Sequence, residues 1–81
     1  MPPFRSARHQ RLAELIAQYR REAGLKQVDV ARELGRHQPF ITSIENGQRR
    51  IDVVELLQLA RVIGFDAKRV LDAIADVPEE G

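Results

Sequence analysis

Residues 24–66 read GLKQVDVARELGRHQPFITSIENGQRRIDVVELLQLARVIGFD, punctuated by Gly24, Gly35, Gly47 and Gly64. Each glycine follows a segment with helical periodicity, where a left-handed residue is expected to close a helix. Between them, Val30, Ala31 and Leu34 form the inward face of a segment of barely two turns, and Ile41 and Ile44 do the same for the next. Helices this short are not stable in isolation, so tertiary packing has to hold them. His37 is a candidate cap for the second of the two, and Pro39 falls in its first turn, where a missing N–H costs nothing. Asp52 and Glu55 have the spacing of a capping box ahead of an inward stripe of Val53, Leu56, Leu59, Ala60 and Ile63.

The same periodicity continues on both flanks. Leu12, Leu15, Ile16 and Tyr19 recur at i, i+3, i+4 and i+7, which predicts an amphipathic helix of roughly four turns. Asp66 caps a last helix with Val70, Leu71 and Ile74 on one side. No segment alternates with period two between turn signals, so no strand is expected. The reading is all-α: one compact five-helix bundle spanning residues 1–81, with its core at about 7–77 and short flexible tails at 1–6 and 77–81. Two short helices joined by a glycine turn and enclosed by amphipathic helices are the ingredients of a helix-turn-helix.

Composition narrows the function. The 81 residues include no cysteine, which excludes disulfides and thiolate-held zinc and is compatible with a reducing cytoplasm. No apolar run approaches the ~20 residues of a membrane span, and the N-terminus lacks the apolar stretch of a signal peptide. His9 and His37 lie in different segments with no paired ligand, the glycines match no phosphate-binding loop, and no nucleophile, base and orienting group come together. No catalysis, metal, cofactor, small-molecule ligand or membrane partner is therefore expected. The net charge of +1 hides a division: residues 1–50 carry ten Lys/Arg against five Asp/Glu, and residues 51–81 carry three against seven. A basic half joined to an acidic half suggests that the first faces a polyanion.

Gly24, Leu25 and Gln27, then Ala31 and Leu34-Gly35, then Gln38, Ile41, Ile44-Glu45 and Gly47, then Leu56, Leu59-Ala60 and Ile63-Gly64 form a pattern that closely resembles the XRE-like family, the Cro and phage-repressor type of DNA-binding domain. The resemblance runs from about Leu12 to Leu71. It implies a lambda-repressor-like fold whose recognition helix, from about Gln38 to Asn46, enters the major groove. By this resemblance Gln38 leads the base contacts, and its amide can exchange two hydrogen bonds with adenine. Pro39, Thr42 and Ser43 complete the reading face. Pro39 and Ser43 stand where relatives often carry longer side chains, so sequence preference leans also on thymine methyls, water and DNA shape.

The resemblance further implies that Gln27 touches a phosphate and braces the first residue of the recognition helix. Lys26 departs from the usual Ser or Thr cap, weakening the cap while adding a cation at an end that suits phosphate. Asn46, Gln48, Arg49 and Arg50 are expected to follow the DNA backbone, and His37 is a cap or a phosphate contact. Glu45 is expected to hold an arginine or a backbone group. Arg5, Arg8 and Arg11 make either a second basic patch or a solvated face, and Phe40 either packs on the helix edge or lies along a sugar or thymine methyl.

The function expected is that of a cytoplasmic, sequence-specific transcriptional regulator, similar to restriction-modification controllers and small phage repressors. It would bind a palindromic operator as a homodimer, with Leu71, Ile74 and Val77 facing the partner. The alternative is an antitoxin or other protein-interaction module of the same fold, which usually devotes a larger tail to its protein partner than residues 77–81 provide.

Overall fold

The computed structural model describes residues 6–79, among which five α-helices follow one another: α1 (Ala7–Glu22), α2 (Gln27–Glu33), α3 (Gln38–Glu45), α4 (Val53–Ile63) and α5 (Ala67–Ala75). No strand occurs among these residues. The expected tails lie partly outside this range, but Ser6 belongs to the fold: it is the N-cap of α1, and its hydroxyl accepts the His9 N–H at 3.1 Å.

The four glycines do what their positions require, with φ of 74°, 67°, 73° and 95° in chain order. At the turn between α2 and α3, Gly35 donates to the Arg32 carbonyl and Arg36 to the Ala31 carbonyl, which satisfies two carbonyls that α2 leaves open. A side chain at Gly35 would be strained in this left-handed conformation even though nothing stands within 4 Å of it. α1 and α3 close by the same pattern of paired bonds.

Acids hold the starts of α2, α4 and α5. Asp52 Oδ1 accepts the Glu55 N–H at 2.7 Å while Glu55 Oε1 accepts the Asp52 N–H at 3.1 Å, the reciprocal box predicted from the sequence. Asp66 caps α5 through the Lys68 N–H. At α2 the Lys26 side chain supplies no cap, and Asp29 accepts the Lys26 N–H at 2.9 Å instead.

Ile16 of α1, Val30 and Ala31 of α2, Ile41 and Ile44 of α3, Leu56, Leu59 and Ile63 of α4 and Val70 of α5 make one buried core. α2 packs on α3, while α1 packs against α3, α4 and α5. Val53 does not belong to the inward stripe to which the sequence assigned it, being 69% exposed. At about 100° per residue it lies roughly 60° around the helix from Leu56, on the flank of the exposed Leu57. On α5 the expectation divides: Val70 is buried, Ile74 packs at the edge of the core and Leu71 stands outward.

Candidate nucleic-acid interface

α3 starts at an exposed corner of the fold. His37 occupies its N-cap position without making a side-chain cap bond, and Gln38 and Pro39 follow in the first turn, all three exposed. Ile41 and Ile44 point into the core, so the opposite face, with Gln38 and the partly exposed Thr42, is presented outward. Ser43 is half-buried, and its hydroxyl donates to the Phe40 carbonyl at 3.0 Å.

Behind this face runs a connected set of polar contacts. Arg20 of α1 grips Glu45 at the end of α3 with two bonds, Nε–Oε2 at 2.6 Å and Nη2–Oε1 at 3.0 Å, and also donates to the Leu25 carbonyl. These side chains are 12% and 7% exposed. Hydrogen bonding to Glu45, against a smaller effect of burial, raises the Arg20 pKa above its ordinary value. Gln27, the first residue of α2, donates its Nε2 to Glu45 Oε1 at 3.0 Å. Its Oε1 accepts from Gln38 Nε2 at 3.3 Å and from the Thr42 hydroxyl at 2.8 Å. The brace expected between Gln27 and the start of the recognition helix is therefore present, and Glu45 holds an arginine as expected.

A second cluster was not legible in the sequence. Glu55 of α4 accepts both Arg49 terminal nitrogens at 2.9 Å, and Arg36 approaches it at 3.9 Å. The guanidiniums of Arg36 and Arg49 lie over the Phe40 ring, 4.4 Å and 4.5 Å from its centre, in cation–π contact. Phe40 packs at the edge of the core, the first of its two expected placements. The hydrogen bonds from Arg49 hold the Glu55 carboxyl below the usual carboxylate range, and the same bonds raise Arg49. Arg49 thus links the loop after α3 to α4, while Lys26, Asn46, Gln48 and Arg50 are exposed.

Arg8 of α1 donates Nε to the Val77 carbonyl at 2.8 Å, Nη2 to the Ala75 carbonyl at 3.2 Å, and pairs with Glu79 at 3.0 Å. This clasp on the end of α5 was not among the expected roles for Arg8, and it holds Val77 half-buried within the stretch read as a tail. Arg11 pairs with Glu14 at 3.5 Å, and Arg5 lies outside the described residues. Among the described residues no group of three His, Asp or Glu is placed to hold a metal ion, and no helix is long and apolar enough to cross a membrane.

A family described as a helix-turn-helix domain matches residues 11–73. The uncharacterized HTH-type transcriptional regulator y4dJ of Sinorhizobium fredii is 32% identical over 63 residues, covering 78% of this chain and 82% of its own. Among solved structures, an XRE-family like protein from Pseudomonas syringae pv. tomato matches with a TM-score of 0.80 at 40% identity, covering 89% of each chain. The restriction-modification controller protein C.AhdI from Aeromonas hydrophila matches at 0.68 with 24% identity over 73% of this chain and 86% of its own, a likeness of fold.

Proposed function

This chain belongs to the XRE-like helix-turn-helix family of transcriptional regulators, and from that premise we propose that it binds a palindromic operator as a homodimer, with α3 in the major groove. The observation that carries this reading is Gln38: exposed at the first turn of α3 and braced from behind by Gln27, it is pre-set for a two-bond contact with adenine. Pro39, Thr42 and Ser43 flank it on the reading face. Lys26 and the start of α2, His37, Asn46, Gln48 and Arg50 lie toward the phosphates, with Arg49 beside them. The chain carries out no catalysis and works in the cytoplasm.

One short helix reads only a few base pairs, so discrimination within a genome calls for two half-sites, about 34–36 Å apart. Leu71, 52% exposed on α5, is the anchor of the proposed dimer face, with Ile74 and Val77 beside it. Selection from a random DNA pool tests the whole reading, with an inverted repeat as the expected product. Sedimentation is expected to give a dimer that Leu71→Arg dissociates. A monomer at micromolar concentration selecting a single, non-repeated site would overturn the dimer.

A further inference from the structure

We propose that Glu45 sets the hydrogen-bond polarity of the reading face, so that Thr42 meets the groove as an acceptor alone and selects an exocyclic amino group, adenine N6 or cytosine N4, at its base pair; this rests on the operator-binding reading above. The Glu45 carboxylate, clamped by Arg20, can only accept. The Gln27 atom 3.0 Å from it must therefore be the amide nitrogen, which turns Oε1 toward α3. That oxygen has no proton, so the Thr42 hydroxyl, 2.8 Å away, has to donate to it. The other inner group in reach of Thr42, the Gln38 carbonyl at 3.4 Å, is an acceptor too.

A hydroxyl has one proton and two lone pairs. The proton of Thr42 is directed into the protein whichever inner oxygen takes it, leaving lone pairs and a methyl group for DNA. Each base pair presents in the major groove one amino donor and one keto oxygen, along with purine N7. An acceptor placed against the keto oxygen or N7 leaves both desolvated and unpaired, whereas against the amino group it completes a bond. Gln38 is constrained differently. It gives one amide hydrogen to Gln27 and keeps the other, together with Oε1, so its two-bond match to adenine survives.

Pools selected by the wild type and by Thr42→Val identify the base pair whose preference depends on the hydroxyl, and Thr42→Ala repeats the comparison without the bulk of valine. At that pair the amino base is then replaced by its analogue lacking the exocyclic amino group, purine for adenine or 2-pyrimidinone for cytosine. The replacement is expected to weaken wild-type binding about five- to tenfold more than it weakens Thr42→Val, the size of one interfacial hydrogen bond. Thr42→Ser keeps this coupling, and Glu45→Gln, which lets the Gln27 amide turn its nitrogen toward the hydroxyl as a donor, weakens it. Equal weakening of wild type and Thr42→Val, coupling to the keto oxygen instead, or no base pair altered in the Thr42→Val pool overturns the inference and leaves operator binding standing. A wild-type pool with no enriched sequence overturns the operator reading and this inference with it.

Discussion

Gln38 and Glu45 lie on one short helix and in one polar network, yet the consequences of losing them differ. Gln38 is exposed, so Gln38→Ala is expected to leave the melting temperature unchanged while removing about 1–3 kcal/mol of discrimination between operator and scrambled DNA in a binding titration. Glu45 is nearly buried against a guanidinium, and Glu45→Ala strands that charge, which is expected to cost about 3 kcal/mol in urea unfolding. The two neighbouring arginines of the loop also separate. Arg50 is exposed, so Arg50→Ala should reduce the slope of log affinity against log salt by about 0.9 at constant stability. Arg49 is bound to Glu55 and laid over Phe40, and Arg49→Ala should instead lower the melting temperature. Equal salt slopes for the Arg50 variant and the wild type would remove Arg50 from the phosphate contacts.

At the scale of a helix, α4 shows what Glu55 does besides capping. Its folded-state pKa lies below the ordinary carboxylate value of 4.5, chiefly through the Arg49 hydrogen bonds. Below that value the unfolded chain takes up the proton first, so this stabilisation is present above the ordinary carboxylate pKa and is lost as pH falls through the lowered folded value. Denaturant unfolding at a series of pH values should show stability falling in this acid window, and Glu55→Gln should be less stable at neutral pH with a shallower acid decline. The box itself was legible, because Asp52 and Glu55 are three residues apart and capping is a local geometry. So were the inward faces of α1, α2 and α3 and the glycine closures, since periodicity and left-handed turns belong to short windows of chain. The Arg36, Phe40, Arg49 and Glu55 cluster joins the turn before α3, α3 itself, the loop after it and α4, and no spacing rule links four such positions. Val53 was misplaced because its i, i+3 spacing to Leu56 still leaves it about 60° around the helix, on the side of the exposed Leu57, and spacing alone does not decide which face a flanking residue joins.

Across the whole molecule, the basic and acidic halves seen in the sequence are partly neutralised against each other. Arg8 pairs with Glu79, and Arg36 and Arg49 with Glu55, so the positive charge facing a polyanion is smaller than the count along the chain suggests. The Arg8 clasp also bears on the order in which the molecule assembles. Its bond to the Val77 carbonyl joins residues 69 apart in sequence, whereas the contacts between α2 and α3 are made within about twenty residues of chain. Closing the longer loop costs about 4 kcal/mol of chain entropy, and that cost falls away only when the intervening helices have already brought α1 and α5 together. The clasp should accordingly be absent from the folding transition state and form on its downhill side. Arg8→Ala is expected to speed unfolding about fivefold in a denaturant-jump experiment and to leave the refolding rate unchanged, so that the first and last helices are the first to part when the protein opens.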